Sequence, residues 1–257
     1  MTPDRDVASR FLIEHAHFDE DLSLWRAVAA ERGGAVLDLG CAAGRVTLPL
    51  LEDGHEVWAV DADASMLAEV AHGAAALGTG AAQRLRTVLA DMTGFRLGTR
   101  VRLAIAAMNT LQVLLEPADQ LACLACVREH LEPEGGEFWF DVALPDMADI
   151  AGSLGLVRAE GHHRDDAGGR TLWHSAWFQD LDTVTGTAAF VHRVEEVADD
   201  GAVRQWHRHH LVHLFSAPEL HHLLARAGLT VLQAFGDFAG SPLEPGAERQ
   251  VYRCGVA

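Results

Sequence analysis

Asp38, Gly40, Gly44, Asp61 and Asp91 are the residues of this 257-residue chain whose types and spacing suit chemistry best. A β-branched and apolar run, Val36, Leu37 and Leu39, brackets Asp38 and leads into Gly40. The small residues Cys41, Ala42, Ala43 and Gly44 follow, and then an apolar helical pattern to Leu51. Strand, tight turn and helix start is the order a nucleotide-type cofactor needs. Backbone N–H groups at the helix start meet the ligand, and small side chains let it lie against the backbone. Asp61 comes 21 residues after Gly40, at the end of a second apolar run, Glu56–Val60. An acid there accepts both hydroxyl protons of a ribose. A dinucleotide fingerprint needs glycines where Gly40, Ala42 and Arg45 stand, and a P-loop needs Gly-Lys-Ser/Thr where Gly44, Arg45 and Val46 stand. Neither pattern fits. A purely structural strand–turn–helix explains the two glycines but leaves Asp61 unexplained.

The elements that must position these residues alternate. Residues 1–33 read as helical, carrying His15 and His17 among apolar positions such as Phe11, Phe18 and Trp25. Strands are expected at Ala35–Leu39, Glu56–Val60, Leu85–Leu89, Val101–Ala107 and Glu137–Val142, with helices at about Gly44–Leu51, Ser65–Leu77 and from Pro117 to before Pro133. That alternation is the pattern of a doubly wound, mostly parallel α/β sheet. Ligands then sit beyond the carboxyl ends of the strands, at Asp38–Gly44, Asp61–Asp63, Asp91–Thr93, Met108–Gln112 and Asp141. The texture changes afterwards. Three antiparallel strands, Thr171–Phe178, Thr187–Val197 and Val203–Phe215, are expected before a last helix, Pro218–Ala227, and two final strands, Leu229–Phe235 and Glu248–Cys254. Gly161–Gly169 and Gly236–Gly246 read as loose segments.

Composition narrows the function. The formal charge is −17, which argues against DNA or RNA as partner, because their binding rests on Lys and Arg. A small-molecule substrate suits it better. No apolar run reaches 18 residues, so no membrane partner is expected. The opening residues carry no apolar signal region, which points to the cytoplasm. Length favours one α/β domain over residues 1–257, with residues 1–33 as a helical cover and residues 151–216 as an inserted antiparallel lid; a homodimer is compatible with it. Cys123 and Cys126 have the C-x-x-C spacing but lie inside a helical pattern with no second pair. Zinc needs about four ligands, and a redox pair belongs at a helix start, so these read as small core residues and no metal is expected.

The motifs resemble those of the class I S-adenosylmethionine (SAM) methyltransferases, in a bacterial small-molecule subset, over nearly the whole chain. The resemblance implies a seven-stranded Rossmann-like sheet and SAM as cofactor. Asp38, Gly40, Ala42, Gly44 and the adjoining Arg45 correspond to the loop around the methionine and ribose portions. Ala42 departs from the usual glycine. Asp61 resembles the ribose-binding acid, Ala62 and Met66 match positions near the adenine, and Asp91-Met92 resembles the pair that meets the adenine edge. Met108 and Asn109 occupy the motif beside the reactive sulfonium. Ser9, Arg10, Phe11, Glu14, His15, Asn109, Leu111, Gln112 and the tail from Gly236 to Pro242 carry the likeness to the subset.

The activity implied is methyl transfer to an oxygen or nitrogen of a metabolite. The alternative is a SAM-binding protein that does not methylate or serves another reaction. Displacement at a sulfonium needs position and desolvation more than a catalytic dyad. Asn109, Gln112 and Asp141 are the expected substrate contacts. His15, His207 and His209 are the candidate bases. In the last inserted strand alternation places His207, His209 and His213 on one face and Arg208 and His210 on the other, without saying which face meets the cleft. Solvated or structural roles for these histidines fit as well.

Overall fold

The computed structural model describes residues 11–12, 14–15, 18–166 and 168–257. Ser9, Arg10 and His17 lie outside the described residues. Phe11, Leu12, Glu14 and His15 are helical, and α1 follows at Leu22–Arg32. Then come β1 (Val36–Leu39), α2 (Thr47–Glu52), β2 (Val57–Asp61), α3 (Ala64–Ala76), α4 (Thr79–Arg84), β3 (Leu85–Leu89) and β4 (Leu103–Ala106). After a single turn at Thr110–Val113 the chain forms α5 (Pro117–His130), β5 (Glu137–Ala143) and α6 (Met147–Gly152).

These strands, with β10 (Leu229–Phe235) and β11 (Arg249–Val256), make a seven-stranded sheet of order β10-β11-β5-β4-β1-β2-β3. β5, β4, β1, β2 and β3 are parallel, and β11 pairs antiparallel with β5 and β10. The central strands are apolar on both sides because helices cover both faces. On one face Cys123, Leu124 and Val127 of α5 pack with Leu37, Phe138 and Tyr252. On the other, Trp25 of α1 and Leu50 and Leu51 of α2 pack on Val36, Val57 and Ile105. Cys123 and Cys126 are free thiols within the first of these clusters.

The chain order reverses between β1 and β4, which are neighbours. Their carboxyl ends therefore splay apart and leave a crevice. Over it stands a second sheet of four antiparallel strands, β6 (Arg158–Asp165), β7 (Arg170–Asp182), β8 (Thr187–Ala198) and β9 (Val203–His213). The chain returns through α7 (Ala217–Arg226), whose start is fixed by a reciprocal Ser216–Glu219 capping box.

Two expectations need correction here. The inserted sheet has four strands, and the segment expected to be loose at Gly161–Gly169 holds most of β6. Its pattern of His, Arg and Asp hides a strand whose stability comes from pairing with β7. The short helices α4 and α6 were also not foreseen; each is six residues long, too short for a clear period.

Candidate functional site

Gly40 closes β1 and begins the site. Its φ is +67°, and a Cβ there would stand 2.6 Å from Thr110 Cγ2, so only glycine lets the loops after β1 and β4 approach this closely. Thr110 Oγ1 donates to Ala107 O at 2.7 Å and fixes the facing loop. Among the described residues, three that are not glycine have positive φ: Ala42 at 45°, Met108 at 58° and Asn109 at 62°. All three lie in these two loops. Such conformations cost about 1–3 kcal/mol each and persist where surrounding contacts hold them. For Met108 the holder is visible: its N–H donates to Asp141 Oδ1 at 2.6 Å.

Two cavities meet at Gly40. The smaller, about 490 Å³, is lined by Asp61, Ala62, Asp91 and Met92. Asp61 Oδ2 accepts from Ala42 N and Oδ1 from Asp63 N, both at 2.8 Å. The glycine-rich loop and the acid at the end of β2 are thus one hydrogen-bonded unit. Asp91 Oδ1 accepts from both Oγ1 and N of Thr93, which holds the carboxyl below the usual carboxylate range. Two acids separated by a small-residue wall suit a nucleoside with its hydroxyls at one end and an amino edge at the other.

The larger cavity, about 560 Å³, is lined by Asp38, Ala42, Arg45, Met108 and Asn109 on the sheet side. Asp38 is buried, and burial pushes its carboxyl up to about 6, against the hydrogen bond Thr47 Oγ1 donates at 2.6 Å and the nearby charge of Arg45. Such a group gains from a cation beside it. Phe11, Glu14, His15 and Phe18 close one side. The even-numbered residues of the antiparallel sheet close the roof: His174, Phe190, His192, Arg208 and His210. His192 is paired across the strands with Arg208, and Phe190 with His210.

Among the described residues, the arginines lining this cavity are all tied to acids of the chain. Arg45 forms two hydrogen bonds to Asp21, at 2.5 and 2.7 Å, and stacks on Phe18. It therefore anchors the segment before α1. Arg208 pairs with Glu14 at 2.5 Å and lies over Phe11, which seats these helical residues on β9. Arg249 pairs with Asp141 Oδ2 at 2.6 Å, reaches Asn109 Oδ1 at 3.4 Å and stacks against Phe18 and Phe238. Asp141 is fully buried in this network, and burial lifts its carboxyl to about 6 despite Arg249.

The structure brings together Asp38, Gly40, Ala42, Arg45, Asp61, Ala62, Asp91, Met92, Met108, Asn109 and, at the rim, His15; Gly44 lines neither cavity and faces Leu48 and Val70. Other expected residues stand elsewhere. Met66 is half-buried on α3 and lines neither cavity. Gln112 is buried, donating to His213 O and accepting from Ala143 N, so its amide braces two strands, and it lines neither cavity. Asp141 braces Met108 and Arg249 and does not line the cavity. His207 and His209 lie on the exposed outer face of β9 against Trp177 and Gln205, because the even-numbered face is the one that packs on the cleft. His15 carries its proton on Nδ1, which donates to Phe11 O at 2.9 Å. Burial lowers it to about 3, so at neutral pH it is a hydrogen-bond acceptor through Nε2 and a weak base.

Residues not foreseen are Phe18, Glu160, His174, His192, Arg208, His210 and Arg249. The alternation of β9 contains Arg208 and His210 as one of two possible faces. The others depend on strand pairing across the insertion. Among the described residues no cluster of three or more His, Cys, Asp or Glu is placed to hold a metal, and no helix is long and apolar enough to cross a membrane.

Residues 36–135 match the family described as a methyltransferase domain. The whole chain is similar to the CcbJ methyltransferase from Streptomyces caelestis, at 25% identity and a TM-score of 0.76, covering 94% of this chain and 98% of that one. It is similar in fold to Streptomyces venezuelae DesVI, at 19% identity and a TM-score of 0.76, with 100% of each chain covered. SAM-bound CalS10, an amino pentose methyltransferase from Micromonospora echinaspora, shares the fold at 20% identity and a TM-score of 0.67, over 91% of this chain and 90% of that one. A comparison with curated protein sequences gives no match.

Proposed function

We propose that this protein transfers a methyl group from SAM to an oxygen or nitrogen of a small-molecule metabolite by in-line displacement. The observation that carries the reading is the two-lobed crevice hinged at Gly40, with Asp61 locked to Ala42 on one side and the buried Asp38 on the other. Its length and charge suit a nucleoside joined to a cationic amino acid. Asp61 would hold the ribose hydroxyls, Asp91 the adenine amino group, and Asp38 the α-ammonium. SAM supplies an electrophilic methyl on a sulfonium that is already an activated leaving group. The chain supplies position and dryness. Met108 and Asn109 form the floor, Phe18 and Arg249 close the entrance, and the roof of the antiparallel sheet excludes water.

Substrate enters on the larger cavity's open side, between Phe11, His15 and Phe18 and β9. Among the described residues, every arginine lining the larger cavity is paired with an acid of the chain, which leaves no unpaired arginine there for a polyphosphate backbone. This supports a small molecule rather than a nucleic acid. The amino pentose methyltransferase among the similar structures supports an amine or hydroxyl on a sugar-like body.

The test is a homocysteine-release screen of metabolite amines and alcohols, with mass spectrometry of the product. A product heavier by one methyl supports the proposal. SAM binding without any methylated product supports the alternative, a SAM-binding protein with another role, to which the strained Ala42 lends some weight.

A further inference from the structure

Three imidazoles on the roof of the larger cavity form a hydrogen-bonded row. His192 Nε2 lies 3.2 Å from His174 Nδ1, and His174 Nε2 lies 3.0 Å from His163 Nδ1. The rings stack, with centroids 5.3 and 5.0 Å apart and planes within 12° and 18°. They stand on β8, β7 and β6, along one diagonal across the sheet. His174 and His192 line the cavity, and His163 is the far end of the row.

Glu160 completes this wall. It lines the cavity, and its Oε2 is 3.8 Å from His192 Nε2. Simple alternation would put it beside His162, on the outer face, where that ring stacks on Trp173 at 4.3 Å. The register shift between Ala159 and Gly161 interrupts the alternation and turns the carboxylate inward. Bulges beside functional sites re-aim single side chains in this way. Among the described residues, the other charged or titratable groups facing the row are Arg208, already paired with Glu14, together with His210 and His15. His15, lowered to about 3 by burial, stays neutral.

Proton counting gives the row its chemistry. Each N···N contact needs one proton. Three neutral rings carry three N–H groups, of which two lie between the rings. One end of the row then presents a lone pair and the other an N–H. A proton accepted at one end shifts the internal protons along and spreads the positive charge over three rings.

We propose that His192 is the base that takes the proton from the methylated nucleophile, with His174 and His163 as positioning residues that share the charge. The proposal rests on the methyltransferase reading. A lone pair on the substrate oxygen or nitrogen forms the bond to the methyl carbon. The carbon–sulfur bond breaks, and its electron pair stays on sulfur as a neutral thioether. The substrate O–H or N–H bond breaks with its electrons left on the heteroatom, and the proton passes to a ring nitrogen of His192. Glu160 balances the imidazolium, and the proton leaves to water after the product departs.

The test uses the full chain with ¹⁵N-labelled histidine and S-adenosylhomocysteine as the bound probe. Imidazole signals are followed from pH 5 to 9 in the parent, His192→Phe and His163→Asn. Asparagine keeps a hydrogen-bonding group near the Nδ1 position but does not titrate. The row predicts that either variant shifts the titration of His174 by at least half a pH unit. Unchanged titration of His174 in both overturns the row. Kinetics then use the amine or alcohol turned over fastest in a homocysteine-release panel. His192→Phe should lose about 100-fold in kcat, within the span general bases contribute, with KM within threefold. His163→Asn should move the acid limb of the kcat profile and leave KM alone. Parent-like kcat for His192→Phe across pH 6–9 overturns the catalytic role. S-adenosylhomocysteine calorimetry separates the two layers: a parent that fails to bind it sinks the methyltransferase reading, while coupled titration still stands or falls by itself.

Discussion

Asp38→Asn should make the protein more stable and a poorer cofactor binder. The carboxyl is almost fully buried, accepts a hydrogen bond from Thr47 Oγ1, and is lifted by burial from 3.8 to about 6. At about 1.4 kcal/mol per pKa unit that rise costs the ionised protein about 3 kcal/mol at neutral pH. The sign follows from linkage. Between pH 4 and 6 the folded state holds this proton more tightly than the unfolded chain, so stability climbs as pH falls through that window and is lowest above it. Asparagine keeps an oxygen for the Thr47 hydroxyl and removes the charge. Urea unfolding at pH 7.5 should therefore give up to about 3 kcal/mol more stability for the variant. Part of the pH dependence remains in the variant, because Asp141 is also lifted to about 6. Binding should move the other way. Losing a hydrogen bond to a charged partner costs about 1.5–3 kcal/mol, roughly 10- to 150-fold in affinity. Parent affinity for S-adenosylhomocysteine should fall as pH drops below 6, and the variant's weaker affinity should be flat there. Equal stability and equal affinity at pH 7.5 would refute both the desolvation argument and the ammonium assignment.

Other substitutions probe the rest of the crevice. Asp61→Ala should weaken cofactor binding by about 1.5–3 kcal/mol in calorimetry, and parent-like affinity would remove Asp61 from the ribose site. Gly40→Ala should destabilise by about 2–5 kcal/mol, combining left-handed strain with a Cβ 2.6 Å from Thr110 Cγ2. Thr110→Ser in the same chain, which removes that methyl and keeps the hydroxyl, should recover about 1–3 kcal/mol of it in urea unfolding. Ala42→Gly relieves a φ of 45° and should raise the unfolding midpoint while leaving S-adenosylhomocysteine affinity equal or better. A tenfold loss of affinity would show that the Ala42 methyl is itself a contact.

The parallel sheet was legible because its strands are short apolar runs bounded by Gly and Pro, and because Asp38, Asp61 and Asp91 each stand at or just beyond a strand end. Asp61 and Gly40 were legible together for a physical reason: the acid ties the glycine-rich loop through Ala42 N. The roof was not legible. In β9 the period of two gives two faces, and only packing against Glu14 and Phe11 decides that Arg208 and His210 turn inward. His207 and His209 are of the same residue type with the opposite outcome. Glu160 was invisible because a bulge reverses its side, and no composition signal marks that bulge. Gln112 and Asp141 stood where substrate contacts belong, yet they bond backbone N–H and carbonyl partners and Arg249, and line neither cavity.

Calorimetric titration of the full chain with SAM, run beside Asp61→Ala, tests the central claim most directly. The crevice predicts saturable binding of one SAM per chain, with the Asp61→Ala variant weaker by roughly 10- to 150-fold. Absence of binding heat from the parent at millimolar SAM, or an Asp61→Ala variant that binds as tightly as the parent, would contradict it.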